Sequence, residues 1–479
     1  MRGTARAGGA VKILCNLPLE SFEPRAAYAP HELLTYGPAD RMWVDGTWFP
    51  FDLAFDPSQG SIEQLLARVP GAPPDLLLLY WPDQEPLPEG LERCPIPVVG
   101  VVSDFNLTLP ALVGLWPFFD HLLVDRSGVD LFRRLGFAAV QPFVQFSHKT
   151  AWHRPWPGVP RDLDVAFAGN LNPVVQRERA PWLARLAALA ERGVRVAVQS
   201  GIRGAAYGRF LSRARIGFNR SIRGEMNLRA FEVPACGALL LMERDNLEVR
   251  EFFVPGEECV LYGDDDLEEV IGHLLADEPR RARIAAAGHR RVQEHRMSRR
   301  LAALLDLVRG PRSDRPPCDP AAAALGRAVA MLGTWAGGEA VIAAAHAALR
   351  HAPHDPRAGN AFALALLRAD AARHATAAFA HLRDALRRAP THLPSALNLA
   401  WLLQRGGDPC GAARLRAASL GLAAARPGWA DVDGPLLPFG FTTESIARAH
   451  ALRDAVLAGD PRLLLVALGA EPDLVPARG

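Results

Sequence analysis

The chain contains almost no lysine. Lys12 and Lys149 are the only two lysines among 54 basic residues, and all the others are arginine. The 52 acidic residues nearly balance this total, so the net charge is +2. So small a surplus argues against a protein that binds nucleic acid or another polyanion.

Long apolar runs and paired cysteines are also missing. No run of about 18 apolar residues occurs, so we expect no membrane-spanning helix. The first ten residues, MRGTARAGGA, lack the apolar core of a signal peptide. The 6 cysteines are scattered without a CxxC pair, which argues against structural zinc and favours a reducing compartment. We therefore expect a cytoplasmic protein.

Several catalytic motifs are absent as well. GxxxxGK[ST], HExxH and GxSxG do not occur, so P-loop, zincin and α/β-hydrolase functions receive no support. His148 and His153 match no metal-ligand spacing, and for both we expect a surface or hinge position. The acidic run 264–266 is predicted to cap a helix that begins at Leu267. We accordingly predict neither a metal site nor a cofactor.

Short apolar segments alternate with helical ones through the first 300 or so residues. The segments predicted as strands are 11–18, 75–82, 96–104, 119–125 and 138–143, then 165–170, 194–201, 215–221, 237–242 and 258–263. A connector rich in Pro and Trp, 148–162, separates the two series. This alternation is typical of parallel, doubly wound α/β sheets. We predict a flexible tail at 1–10 and two Rossmann-like domains, 11–158 and 159–308.

The remaining chain is rich in Ala and Leu and is predicted to be helical. A Pro-rich and charged stretch, 309–320, is interpreted as a linker to an all-α domain at 321–479. Segments 348–369 and 385–406 resemble each other at an offset of 37 residues. Such a period suits tetratricopeptide-like (TPR-like) helical hairpins, and a plain helical bundle is the alternative.

The segment NLRAFEVPACGALLL, residues 227–241, places polar side chains at the start of a core element. It is predicted to form a helix, a turn at Gly237 and a buried strand. Asn227 and Arg229 would lie at the first turn, where free N–H groups and the helix dipole favour an anion. A carboxylate at Glu232, one turn further on, can accept two hydrogen bonds from a ribose diol. These residues together suit a nucleoside diphosphate, whereas a solvated helix start capped by Asn227 is the alternative. Because Arg229 and Glu232 are polar residues at the edge of a core element, we expect their side chains to contribute little packing of their own.

This part of the sequence resembles the donor domain of glycosyltransferases with the GT-B fold. FEVPACGALLL looks like the EAMACGxPV signature of family-4-like enzymes. NLRAFEVPACGALLL, EFFVPGEECVLYG and RMSRRLAALL resemble, in order, the CgeB-like, spore-maturation type of bacterial glycosyltransferase. The resemblance covers about residues 160–308 well and 11–158 only in general layout. It implies a metal-independent transferase with a cleft between two Rossmann-like domains, 11–158 on the acceptor side and 159–308 on the donor side.

In one respect the sequence departs from the family pattern. Family-4 enzymes carry two glutamates spaced E-x7-E, whereas the nearest partner of Glu232 is Glu225, spaced E-x6-E. The contact to the donor sugar therefore stays open, as does the choice between retention and inversion at the anomeric carbon.

Other residues complete the predicted site. Gly169 and Asn170 end a predicted strand and are candidates for donor binding, with an ordinary glycine turn as the alternative. Arg220 and Arg223 are candidates for phosphate contacts, and one of them could simply face solvent. Asp104 follows a predicted strand and is the candidate general base, with a loop-capping role as the alternative.

The sequence thus predicts an enzyme that moves a sugar from a nucleotide-sugar to a protein or cell-surface glycan, with the helical domain recruiting the acceptor. The nucleotide-sugar would be a co-substrate and no other cofactor is expected. A catalytically inactive nucleotide-sugar-binding or scaffold protein is the first alternative, and a sugar-nucleotide epimerase is the second. The donor base, the sugar, the acceptor and the oligomeric state are left open.

Overall fold

A computed structural model describes residues 9–38, 41–173, 175–176, 179–308, 318–425, 434–438 and 442–470. The strands β1 to β14 are Lys12–Cys15, Glu32–Gly37, Arg41–Val44, Thr47–Pro50, Leu53–Ala54, Leu76–Tyr80, Val98–Val101, His121–Val124, Val140–Pro142, Leu163–Ala168, Val196–Gln199, Ala214–Phe218, Leu239–Glu243 and Val260–Tyr262. The helices α1 to α10 are Ile62–Ala67, Phe105–Leu112, Arg126–Arg134, Ala180–Glu191, Gly204–Ser212, Leu228–Ala235, Val249–Phe252, Leu267–Ala276, Glu278–Val292 and Met297–Leu307. The helices α11 to α17 are Pro320–Gly333, Gly338–His351, Pro356–Arg388, Leu393–Arg405, Pro409–Ala425, Thr443–Ala458 and Arg462–Ala467.

The fold class predicted from the sequence is confirmed. Each of the ten segments predicted as strands contains a strand, and the parallel strands belong to two sheets, as the GT-B resemblance implies. The described part of the C-terminal region consists of helices and their connections. Among the described residues, no helix combines the length and the apolarity that a membrane span requires.

The chain divides into two compact units. The first contains Met1–Ala54, Val124–Val129 and Gln141–Pro311, and the second contains Phe55–Leu123, Asp130–Val140 and Arg312–Gly479. Each unit is therefore built from three separate stretches of chain. The domain boundaries given by the sequence analysis stay predictions.

The first unit contains a five-stranded parallel sheet in the order β11-β10-β12-β13-β14. Successive side chains of its strands enter two different cores. Val165 and Phe167 pack with α4 and α8 on one face, whereas Ala166 and Ala168 pack with α5 and α6 on the other. Because both faces are covered by helices, the strands are apolar along their length. The same unit holds β1, β2 and β5, which pair in parallel, and the antiparallel hairpin β3-β4.

The strand order of this sheet fixes where a ligand fits. The chain runs from β10 to β11 on one side and then crosses to β12 on the other side of β10. Helices on opposite faces therefore diverge at the carboxyl ends of β10 and β12. In open α/β sheets such a switch point is the usual ligand crevice.

The second unit combines strands with the C-terminal helices. β6, β7 and β8 pair in parallel, and α11 packs on the turn that precedes β8 by a contact between two glycines. A Cβ atom on Gly326 would lie 2.2 Å from the carbonyl oxygen of Gly114. From α11 to α15, each helix packs against the next, and α13 contains a kink at Asp370. The helical prediction is confirmed, while the TPR-like type stays a prediction.

Candidate functional site

Helix α6 forms where the sequence predicts it, and both of its ends have defined caps. The side chain of Asn227 accepts a hydrogen bond from the N–H of Ala230, which makes it the N-cap residue. At the other end, Gly237 has a φ of 75°, and the N–H groups of Gly237 and Ala238 donate to Pro234 and Val233. These two hydrogen bonds form a Schellman motif, which a glycine with positive φ permits. The capping role proposed as the alternative for Asn227 is therefore present.

Arg229 lies at the switch point and joins the two strands that form it. Its Nε donates to the carbonyl of Ala168 at the end of β10 (2.7 Å), and its Nη1 donates to Oδ1 of Asn219 just after β12 (2.8 Å). The guanidinium carbon lies 4.2 Å from the centre of the Phe167 ring. The residue is only 8% exposed. The expectation of a side chain with little packing of its own is wrong for Arg229, because strand ends and an aromatic ring surround it.

Arg179 is a second buried arginine at the same place, and the sequence analysis missed it. It donates to the carbonyls of Asn170 (3.0 Å) and Arg220 (3.1 Å), which again follow β10 and β12. Its guanidinium carbon lies 5.3 Å from the Phe167 ring. Burial, reinforced by the charge of Arg229, lowers the pKa of Arg179 to about 9. A sequence signal existed, because Arg179 begins the helix that follows the FAGNLNP loop.

Neither of these two arginines has a carboxylate within salt-bridge distance among the described residues. The Nε of Arg179 is buried and makes no hydrogen bond there. Two neighbouring buried cations cost free energy unless an anion compensates them. The two arginines at the switch point therefore favour the binding of a negatively charged ligand.

Gly169 is needed here to leave space for Arg229. A Cβ atom at this position would lie 2.2 Å from Nη2 of Arg229, and the N–H of Gly169 already donates to Gln199 (3.1 Å). Asn170 is exposed, and its Oδ1 accepts a hydrogen bond from the N–H of Asn172 (2.9 Å). The structure thus places both predicted residues beside the arginine pair, and their donor-binding roles stay predictions.

Glu232 faces a buried polar cluster on the same helix. Its Oε2 accepts a hydrogen bond from the hydroxyl of Tyr207 (2.8 Å), and its Oε1 lies 3.6 Å from Nε2 of His153. Burial raises the pKa of the Glu232 carboxyl. At 6% exposure, this residue also packs more closely than the sequence analysis expected. The predicted ribose contact stays a prediction.

His153 is buried, contrary to the expected surface or hinge position, and so is His148. The N–H of Lys149 donates to Nδ1 of His153 (3.0 Å), so the neutral ring carries its proton on Nε2, on the side of Glu232. Burial, and to a lesser extent the charge of the nearby Lys149, lowers the pKa of His153 to about 3. His153 is therefore neutral at pH 7. At 3.6 Å, its contact with Glu232 is therefore neither an ion pair nor within hydrogen-bond distance.

The predicted phosphate contact Arg223 is already paired. Its Nη2 donates to Oδ2 of Asp125 (2.9 Å), and both side chains are largely buried. Arg220 pairs with the exposed Asp245 (3.1 Å) and lies over the Trp182 ring. Glu225, the partner in the E-x6-E spacing, accepts hydrogen bonds from the N–H groups of Ile222 and Arg223, so it holds the loop before α6.

Asp104, the candidate general base, belongs to the second unit. It directly precedes α2, after the carboxyl end of β7, and its carbonyl accepts a hydrogen bond from Leu107. Asp83 of the same unit is buried nearby and was not foreseen. Burial raises the pKa of Asp83 to about 6, and the charge of Asp104 adds to this effect. The catalytic role of Asp104 stays a prediction.

The acidic run before α8 behaves differently from the expectation. Asp266 is the N-cap residue of α8, but its side chain makes no cap hydrogen bond. It accepts instead from the N–H of Gly263 (2.6 Å) and pairs with Arg244. Within the described ranges, no group of three or more His, Cys, Asp or Glu side chains is arranged to hold a metal ion.

A comparison with known protein families finds a match in this region of the chain. Residues 150–306 match a family model described as "Glycosyl transferase-like". The matched range contains the switch point, both buried arginines and α6. The prediction of a glycosyltransferase domain, and with it of an enzyme of this class, is confirmed.

Three of the solved structures that are similar to this chain are the following. Sucrose-phosphate synthase from Thermosynechococcus elongatus is 11% identical with a TM-score of 0.39, over 62% of this chain and 98% of that one. Anabaena HepE in complex with UDP is 14% identical with a TM-score of 0.40, over 62% and 100%. The pneumococcal O-GlcNAc transferase GtfA is 11% identical with a TM-score of 0.34, over 48% and 56%. The curated proteins contain no match to this chain.

Proposed function

We propose that the protein is a GT-B glycosyltransferase that binds a nucleoside diphosphate sugar at the switch point of its five-stranded sheet. The observation that carries the proposal is the pair of buried arginines, Arg179 and Arg229, at the ends of β10 and β12. A diphosphate supplies the direct ion pair that these two guanidinium groups lack among the described residues, where the nearby carboxylates lie beyond salt-bridge distance. Planar guanidinium groups bind phosphate oxygens with two parallel hydrogen bonds, which suits a diphosphate.

The same groups supply the chemistry of the transfer. When the acceptor oxygen attacks the anomeric carbon, the bond to the diphosphate breaks and negative charge collects on the leaving oxygen. Fixed cations in a buried site stabilise that charge without reorganisation. The free N–H groups at the start of α6 add to this effect. Because the protein itself provides the cations, we propose that the transfer needs no divalent metal.

The predicted acceptor, a protein or a cell-surface glycan, belongs to this proposal as well. A non-catalytic nucleotide-sugar-binding protein is the second candidate, since binding alone would use the same arginines. Transfer or slow hydrolysis of the donor distinguishes the two, because a binding protein releases the nucleotide-sugar unchanged.

Calorimetric titration with UDP, GDP and dTDP tests the donor site. Arg179→Gln and Arg229→Lys should each weaken binding of the preferred nucleotide by about ten- to a hundredfold, the worth of a charge-assisted hydrogen bond. Arg195→Lys is the matched control, because Arg195 precedes β11 at the opposite edge of the sheet, where it pairs with Asp164. Binding by the two site variants equal to that of the control would contradict the proposal. Hydrolysis of the matching nucleotide-sugar in EDTA and in Mg²⁺ tests metal independence, and a strict need for Mg²⁺ would contradict it.

A further inference from the structure

The loop between α11 and α12 holds an exposed tryptophan in a fixed position. Arg368 of α13 donates to the carbonyls of Thr334 (2.6 Å) and Ala336 (3.0 Å), the two neighbours of Trp335. The hydroxyl of Thr334 closes the turn by donating to Met331 (3.1 Å). Trp335 itself is 44% exposed. These hydrogen bonds hold a large apolar ring toward solvent, which a simple connection between two helices does not require.

Trp335 meets the carboxyl end of β6, which lies in the same compact unit. Its indole N–H donates to Oε2 of Glu85 (2.5 Å). Glu85 belongs to a tight turn in which its own N–H and that of Gln84 donate to the carbonyl of Trp81. Trp81 has a φ of 53°, a left-handed conformation that is unfavourable for a bulky residue. Such local strain is found most often at binding sites.

The turn also carries a buried carboxyl that is not fully satisfied. Asp83 is 1% exposed, and its Oδ2 accepts a hydrogen bond from the hydroxyl of Thr108 (2.5 Å). Its Oδ1 is buried and has no hydrogen-bond partner among the described residues. A buried polar atom without a partner is costly, and a ligand hydroxyl is one way to satisfy it. Asp104, at the end of the neighbouring strand β7, is close enough to affect the ionisation of Asp83.

We propose that Trp335, Glu85 and Asp83 form an acceptor subsite for a sugar ring, and that the helical region supplies its aromatic wall. The apolar face of a pyranose stacks on an indole, and the hydroxyl groups of the ring donate to carboxylate oxygens. The hydrogen bond to Glu85 fixes the orientation of the indole. A peptide would instead require a free strand edge or an apolar groove, whereas Asp83 and Glu85 lie in the turn after β6 and Trp335 lies in a loop between two helices. This inference rests on the proposed function, because it assigns the acceptor side of the same transfer.

Saturation-transfer difference NMR with a panel of methyl glycosides tests the subsite on the full chain. The panel contains the methyl glycosides of glucose, galactose, mannose, N-acetylglucosamine and rhamnose. At least one of them should bind to the wild-type protein through its ring protons. Trp335→Ala should weaken that binding by about tenfold, and Trp335→Phe, which keeps an aromatic face, should retain most of it. At pH 8, where Glu85 is mostly ionised, Glu85→Gln should also weaken binding, because an uncharged amide oxygen replaces a carboxylate.

Trp43→Ala is the matched control, because Trp43 is similarly exposed on hairpin β3-β4 in the other unit. Binding of no glycoside by the wild-type protein, or equal losses in Trp335→Ala and Trp43→Ala, would overturn the proposal. A short peptide that binds in place of every glycoside, and is lost in Trp335→Ala, would overturn the choice of a sugar. If Trp335→Ala does not fold, Trp335→Phe and Glu85→Gln still decide the outcome. Calorimetry with UDP, GDP and dTDP on the same protein reports the donor site separately. Glycoside binding without binding of any of the three nucleotides would support the subsite and contradict the proposed donor site.

Discussion

At the scale of single residues, the space around Arg229 depends on one missing side chain. Gly169 has no positive φ, so its conformation does not demand glycine, but a Cβ atom there would lie 2.2 Å from Nη2 of Arg229. We expect Gly169→Ala to displace the guanidinium from the carbonyl of Ala168. Affinity for the preferred nucleotide should fall at least about tenfold, which calorimetry measures.

Gly272→Ala provides the control for this substitution. Gly272 lies inside α8, and a Cβ atom there would meet no atom within 4 Å. It should leave nucleotide binding unchanged and raise the free energy of unfolding by about 0.5–1 kcal/mol, as alanine does inside a helix. If Gly169→Ala binds the nucleotide as Gly272→Ala does, the position of Arg229 is not what matters for the ligand.

Glu85 gives a second prediction, which concerns pH. Burial, together with the charge of Asp83, raises the pKa of Glu85 from 4.5 to about 7, against the lowering effect of the Trp335 N–H. The folded state therefore holds this proton more tightly than the unfolded state. The resulting stability is complete below about pH 4.5 and is lost as the pH rises through about 7. Glu85→Gln, which cannot ionise, does not suffer this loss.

Urea unfolding of both proteins at several pH values measures the effect. The free energy of unfolding of Glu85→Gln relative to wild type should increase between about pH 5 and pH 8, by on the order of 1–3 kcal/mol. Wild type alone is not informative, because the low pKa of His153, about 3, has the opposite sign and makes stability fall as the pH drops below 6.5. A difference between the two proteins that is constant with pH would show that Glu85 titrates normally.

At the scale of secondary-structure elements, the contact of α11 with the turn before β8 is sensitive to a single change. A Cβ atom on Gly326 would press on a backbone carbonyl, which cannot rotate away as a side chain does. We expect Gly326→Ala to lower the free energy of unfolding by roughly 1–3 kcal/mol. Gly421→Ala in α15 is the matched control, since nothing lies within 4 Å of a Cβ atom there, and it should be neutral or stabilising. Equal unfolding curves for the two variants would mean that α11 does not pack closely.

Elements with a strong local signal were predictable from the sequence, and elements fixed by distant contacts were not. Buried runs such as 75–82 and the capped helix at 228–235 carry their pattern within a few residues. Strand β2 was missed, and so was hairpin β3-β4. The hairpin lacks a local signal, because its apolar residues, such as Trp43 and Trp48, are exposed and are interrupted by polar ones. Arg229 was found through its motif, whereas Trp335 acquires its role only from a neighbour 250 positions away in the chain, and Arg179 acquires part of its role from one 41 positions away. No local sequence pattern reveals contacts between residues that are so far apart in the chain.

At the scale of the whole molecule, the helical region is part of a mixed compact unit and not a separate appendage. It shares that unit with β6 and β7, and Arg327 of α11 donates to the carbonyls of Leu87 (2.9 Å) and Ser58 (3.2 Å). We expect a chain ending at residue 308 to lose cooperative unfolding and to expose apolar surface. Thermal melting and binding of an apolar dye measure both effects.

Co-expression with residues 318–470 as a second polypeptide should restore cooperative melting of this shortened chain, because the missing contacts are non-covalent. A chain ending at residue 308 that melts cooperatively within a few degrees of the full protein would contradict this view. The helical region would then be a module that the rest of the chain does not need for folding, which the recruitment role predicted from the sequence would allow.

The contact between Gly114 and Gly326 also has a consequence for the order in which the protein is made. The turn that carries Gly114 leaves the ribosome about 200 residues before α11 does, which at 5–20 residues per second is a delay of roughly 10–40 s. During that time the surface that α11 later covers is open to other chains and to chaperones. The first unit, whose last described helix ends at Leu307, has all its helices available before α11 is synthesised. Nascent chains of this protein should therefore complete the unit with the proposed nucleotide site well before the unit with the proposed acceptor subsite.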